Sequence, residues 1–332
     1  MNGNRPSKRA RDNTGESSSH TPGTPVSFER DGKFWLDDGN LVLVARNVGF
    51  RVYRGLLAAQ SEVFRNMFSA GDSAVGNTFD GCPVVQLSDS PEYVRYLLDV
   101  ILPTSTRRFY QDEKGPYISF EQVAAVIGLA HKYNIADLER QALSVLKSCY
   151  CHTFETFEYD ARPITVEKVD AIAAIALARL TDTPTILPLA LYRCCALRSS
   201  VLDGWMGEDG KIEHLSPEDL RRCIDGRDAL AREATSILFQ VFYPIPADRC
   251  LTPSSCRKRS PKLLAEAGAD PGATDPDVLG SWRGFIKAGV LEHGLCMECE
   301  KLLVERDKTV RREVWGRLPQ LFGLQIEGWG TT

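Results

Sequence analysis

Phe50-Arg51-Val52-Tyr53-Arg54-Gly55-Leu56-Leu57-Ala58-Ala59-Gln60-Ser61-Glu62-Val63-Phe64-Arg65-Asn66-Met67-Phe68 changes its period partway along. Phe50 to Tyr53 alternates apolar and polar, the two-residue period of a half-buried strand. From Arg54 the apolar residues come in pairs instead: Leu56 and Leu57, Val63 and Phe64, Met67 and Phe68. That spacing is helical. Ser61 falls between two such blocks and suits the cap of a second short helix.

Upstream, Asp38-Gly39-Asn40 signals a turn, and Leu41-Val42-Leu43-Val44-Ala45 reads as a buried strand. Asn47-Val48-Gly49 turns this strand into Phe50–Tyr53, giving a hairpin. Downstream, Val84-Val85-Gln86-Leu87 is a third strand, and Ser90-Pro91 opens a helix in the favoured order of cap followed by proline. Val94, Leu97, Leu98 and Ile101 line its inner face. Two amphipathic helices follow, carrying Val123, Val126, Ile127 and Ala130, then Leu138, Ala142, Val145 and Leu146. The first half is thus α+β: a small sheet covered by helices.

The second half reads as mainly helical. Val166, Val169, Ile172, Ala173, Ala176, Leu177 and Leu180 form one face, Thr183-Pro184 starts another helix, and Ser216-Pro217-Glu218-Asp219 is a well-formed helix start. Residues 257–275 are loop-rich and read as a flexible insertion, Asp275-Pro276 as the start of a helix toward Leu291, and Cys296 as the start of the last helix. Residues 1–33 are rich in Ser, Thr, Pro, Gly and charge, and are expected to stay disordered. The expected division is a tail at 1–33, a domain at 34–150, a helical domain at 151–324 and a short tail at 325–332.

The 332 residues suit about two domains. A net charge of -4 argues against a chain that coats nucleic acid or an anionic membrane. The sequence has no apolar run long enough for a membrane span, and Met1–Asn13 has none to act as a signal peptide. The expected location is the cytoplasm, the nucleus or both, where the ten cysteines would be thiols or metal ligands. Arg5, Lys8, Arg9 and Arg11 could be read by an import receptor, or be an ordinary charged tail.

The residues themselves carry a resemblance. Phe50-x-Val52-x-x-x-Leu56-Leu57-Ala58-x-x-Ser61-x-x-Phe64-x-x-Met67-Phe68 and, later, Val126-Ile127-Gly128-Leu129-Ala130-His131-Lys132-Tyr133-Asn134-Ile135-Ala136-Asp137-Leu138 resemble the BTB/POZ family over roughly residues 34–150. The hairpin variant and the ending Trp315–Leu324 are most similar to BTB proteins expanded in basidiomycete fungi. Tyr53 stands where many members carry His, and Asn40 where many carry Asp. Residues 1–33 lack the amphipathic helix that swapped homodimers use, which argues against that dimer and leaves self-association through another face open.

The resemblance implies a protein-interaction module without a cofactor pocket, one use of which is to hold a cullin and deliver substrate to a ubiquitin ligase. In that role a hydrophobic-x-Glu element touches the cullin. Its nearest match is Tyr110-Gln111-Asp112, with Asp in place of Glu; a solvated loop explains the same residues.

Cys250 and Cys256, then Cys296 and Cys299, supply thiols in two pairs. A structural zinc site takes four thiolate or imidazole ligands in this arrangement. Cys296-Met297-Glu298-Cys299 opens a helix, whose N-terminal end favours thiolates. His293 is the alternative ligand. Four thiolates leave zinc no open position for water, so such a site would be structural. Scattered reduced thiols are the plainer reading of these four; Cys82, Cys149, Cys151, Cys194, Cys195 and Cys223 read as buried small hydrophobes.

No phosphate loop, nucleophile elbow or metal-hydrolase motif is present, so the expectation is a non-enzyme. The alternative to an adaptor is a nuclear regulator with a zinc-supported domain on DNA. Its basic candidates are Arg257-Lys258-Arg259 and Arg311-Arg312, both close to acids, which makes nucleic acid an unfavoured partner.

Overall fold

The structure, a computed structural model, describes residues 27–71, 78–102, 118–159, 163–244 and 246–331. The N-terminal sheet is formed by β1 (Glu29–Trp35), β2 (Leu41–Ala45), β3 (Val48–Val52), β4 (Thr78–Phe79) and β5 (Cys82–Leu87) in the order β1-β3-β2-β5-β4. The β2–β3 hairpin is antiparallel, pairing Leu43 with Phe50, while β2 and β5 run parallel. All five residues of β2 are buried, as expected of a central strand made only of Leu, Val and Ala.

The helices α1 (Arg54–Gln60), α2 (Glu62–Gly71), α3 (Pro91–Ile101), α4 (Phe120–Lys132) and α5 (Ala136–Cys149) complete the domain. Ser61 is fully buried; its hydroxyl accepts from Phe64 N and donates to Tyr133 O, tying α2 to the end of α4. Ser90 caps α3, and Ser119 with Gln122 forms a capping box on α4. Phe64 lies stacked on Tyr133 at 4.3 Å between centroids. Asn40 Oδ1 accepts from Arg54 N, the first backbone donor of α1, and Tyr53 Oη donates to Asp38.

Further along come α6 (Phe154–Tyr159), α7 (Asp170–Leu180), α8 (Leu187–Cys195), the small β6–β7 hairpin (Trp205–Met206 with Ile212–Glu213), α9 (Pro217–Phe242), α10 (Pro253–Ala269), α11 (Arg283–His293) and α12 (Met297–Leu321). One continuous apolar core runs from Phe34 to Leu324. α7 is buried nearly all round, packed against α4 and α8. The turn beyond β6 docks on the first domain: Glu208 N donates to Glu121, Tyr96 Oη to Glu208, and Arg46 to Asp209 O.

Four expectations need correction. Order begins before Phe34: β1 starts at Glu29 and pairs in parallel with β3. Charged residues hide this edge strand, since its inward positions are Phe34 and Asp31, the latter held by Arg95 and two backbone N–H groups. Residues 257–275 are not a flexible insertion. α10 runs through them despite Pro261, with Cys256, Leu263 and Ala267 as its narrow buried stripe. The helix foreseen from Asp275-Pro276 begins only at Arg283, after a turn that Asp275 closes on Asp277 N. Of the expected tail 325–332, the described residues 325–331 are not free: Trp329 stacks on Trp315 at 5.1 Å and donates to its carbonyl, and Gly330 N donates to His152 O.

Candidate metal centre

The chain leaves α9 at Phe242 and turns through Ala247 and Cys250, where Cys250 N donates to Ala247 O. Pro253 then starts α10, with Cys256 in its first turn. The second pair repeats this plan. Gly294 closes α11 with φ 62, a left-handed position that glycine takes without strain. Cys296 follows as the N-cap residue of α12, and Cys299 sits in that helix's first turn. Each pair therefore joins a residue of a turn to one at a helix start, and the positive ends of two helices meet the sulfurs.

All four Sγ atoms lie within 4.8 Å of one another. Cys250 Sγ is 3.6 Å from both Cys296 Sγ and Cys299 Sγ. Four sulfurs each at ~2.3 Å from one tetrahedral metal would sit ~3.8 Å apart, so the spacing fits a zinc-sized ion. Cys256 and Cys299 are buried, Cys250 and Cys296 half-buried.

Backbone donors converge on the same sulfurs. Cys296 N points at Cys256 Sγ and Ala247 N at Cys299 Sγ, both at 3.5 Å. Such N–H groups stabilise thiolates and fix the direction of their lone pairs, as hydrogen bonds to metal ligands do. Burial opposes charge here, but for Cys296 the N–H groups of Cys299 and Leu251, together with hydrogen bonds from Cys250 and Cys299, prevail and bring its thiol down to about 6. Burial pushes Cys299 up to about 12, helped by its hydrogen bonds with Cys250 and Cys296, and burial also raises Cys250. Without a cation, one thiolate forms first and makes the others harder to ionise.

His293 does not join the sulfurs. Its Nε2 lies 2.7 Å from Glu266 Oε2, and together with Glu292 it forms a separate, largely exposed group. The alternative ligand is thereby corrected: the turn at Gly294 carries His293 away from the cysteines. Thr252, whose Oγ1 is 3.2 Å from Cys256 Sγ, was not legible as part of the site. A Ser/Thr two residues past a cysteine is too common to stand out.

The remaining cysteines are buried. The Cys195 thiol donates to Cys223 O, because α9 packs directly on α8. Tyr110 and Asp112, like Arg5, Lys8, Arg9 and Arg11, lie outside the described residues. Among the described residues no helix is long and apolar enough to cross a membrane.

Comparison with known proteins gives one match. Residues 37–150 fit the family model of the BTB/POZ domain. No curated protein and no solved structure matches the chain.

Proposed function

From the premise that residues 37–150 are a BTB/POZ domain followed by a helical region, we propose that this protein is a non-catalytic adaptor. In this reading the BTB domain docks a protein partner, a cullin-type ubiquitin-ligase scaffold being the one its family suggests. The helical region, closed by one structural zinc on Cys250, Cys256, Cys296 and Cys299, presents the cargo, in the cytoplasm or the nucleus.

The observation that carries the proposal is the match of residues 37–150 to the BTB/POZ model; the convergence of four sulfurs in the helical region supports the zinc. Zinc there supplies folding energy to a loop-and-helix junction rather than chemistry, since four thiolates fill its coordination sphere. The DNA-associated alternative has less behind it. Arg311 is buried between Asp307 and Glu158, Arg312 pairs with Glu155, and Arg259 donates to Gly294 O.

The test for the adaptor is direct binding of the purified chain to the N-terminal domain of a cullin. The expected result is a complex weakened by the paired substitutions Tyr110→Ala and Asp112→Ala. No complex at micromolar concentrations would remove the cullin from the reading. Salt-dependent retention on DNA would favour the alternative instead. For zinc, elemental analysis is expected to return about one ion per chain; a metal-free, fully folded protein would end that part.

A further inference from the structure

Between the end of α9, the Asp270–Gly280 connection and the start of α11 lies a cleft of about 340 Å³, separate from the cysteine cluster. Its apolar wall is Trp282 and Phe285, whose rings meet edge-on at 86° with centroids 5.4 Å apart. Phe242, fully buried, contacts both rings from behind and fixes them. Asp270, Asp275 and Asp277 also line the cleft.

Carboxylates on a surface are ordinary, but these line a formed hollow with a rigid aromatic wall. Each is also held in place: Asp270 accepts from Gly272 N, Asp275 from Asp277 N, and Asp277 from the Tyr192 hydroxyl. They do not converge as metal ligands. Among the described residues only the four cysteines and the Glu266, Glu292, His293 group draw close enough for that. Spread carboxylates beside aromatic rings suit an extended, weakly hydrated cation, namely a guanidinium, which packs on rings and forks onto carboxylates. The protein's own Arg198, largely exposed and outside the cleft, reaches to 3.7 Å from Asp275.

We propose that this cleft is a docking site for an arginine side chain of a basic peptide segment in a partner protein. The volume is at the small end for ligand sites, suited to one side chain and its flanking backbone rather than to a folded surface. The charge complementarity selects a cationic residue, and the aromatic wall selects arginine over a compact ammonium. The inference stands apart from the zinc and cullin readings, because none of its residues belongs to either.

The test is calorimetric titration of the full chain with a nine-residue peptide carrying one central arginine, and with its citrulline counterpart, which keeps shape and loses charge. The expected result is binding of the arginine peptide and at least ~10-fold weaker binding of the citrulline peptide, the loss of a charge-assisted pair. The double variant Asp270→Asn, Asp275→Asn, checked for an unchanged near-ultraviolet spectrum, is expected to lose about the same factor. Equal affinity for the two peptides, unchanged affinity in the variant, or no binding at millimolar peptide would overturn the proposal. So would binding that emerges only after residues 1–26 are removed, since the occupant would then be this chain's own Arg5–Arg11 segment.

Discussion

Cys250 Sγ lies 3.6 Å from Cys296 Sγ although 46 positions separate them in the chain. Two independent thiols have no reason to meet at that distance, and two more sulfurs complete the group. If a zinc ion closes it, its removal is expected to loosen the junction it holds. Chelation should speed amide hydrogen exchange across 246–256 and 294–299 first, leaving β2, α3 and α4 protected. Cys296→Ser should produce the same exchange pattern and abolish stoichiometric zinc. Uniform protection after chelation would mean that the sulfurs stabilise nothing.

Phe64 is fully buried, stacked between Phe68 and Tyr133. Phe64→Ala is expected to cost ~3–5 kcal/mol, from lost transfer energy and the cavity left behind. Denaturant unfolding followed by circular dichroism would read the loss; a value below ~1 kcal/mol would mean that the surrounding core collapses into the gap.

Asp31 ties the edge strand β1 to α3 through Arg95 at 2.6 Å. Burial alone would raise its pKa, but the Arg95 guanidinium and the N–H groups of Phe34 and Lys33 outweigh that and lower it. A carboxyl whose folded pKa is depressed stabilises fully above its unfolded value and loses that contribution as pH falls through the folded one. Asp31→Asn should therefore destabilise by about 1–3 kcal/mol at pH 7, where charged hydrogen bonds are lost. The gap should close below about pH 4, the unfolded carboxylate range. Unfolding midpoints at pH 7, 5 and 3 for both proteins would show whether it does.

Gly226 lies in α9, which packs on α12: a Cβ there would come within 2.3 Å of the buried ring of Phe322, the residue that ends α12. Gly226→Ala is expected to destabilise by about 1–3 kcal/mol, the overpacking cost exceeding the helix-propensity gain. Gly316, exposed in α12 with nothing near its Cβ position, should behave oppositely, Gly316→Ala gaining about 0.5–1 kcal/mol. Thermal melts of the two variants, made side by side, compare packing with propensity directly.

The strand Leu41–Ala45, the caps at Ser61 and Ser90 and the helices over 120–149 could all be read from local pattern. Their signals are short in range: the two-residue strand period, the helical period and a capping oxygen three residues from its donor. The pairing of cysteines into two groups was legible too, as was the helix that opens at Cys296.

Tertiary structure decided the rest. β1 exists because β3 offers it an edge and Arg95 neutralises Asp31, neither of which its own charged residues reveal. α10 forms across a basic, proline-containing stretch because Leu263 and Ala267 can bury between α9 and α11, where Gly289 admits the Leu263 side chain. His293 is held apart from the cysteine group by Glu266, 27 positions back in the chain. Trp329 is held only because Trp315 and His152 O stand ready for it. In each case the stabilising partner lies far away in sequence, and a local pattern carries no record of the contacts that burial will supply.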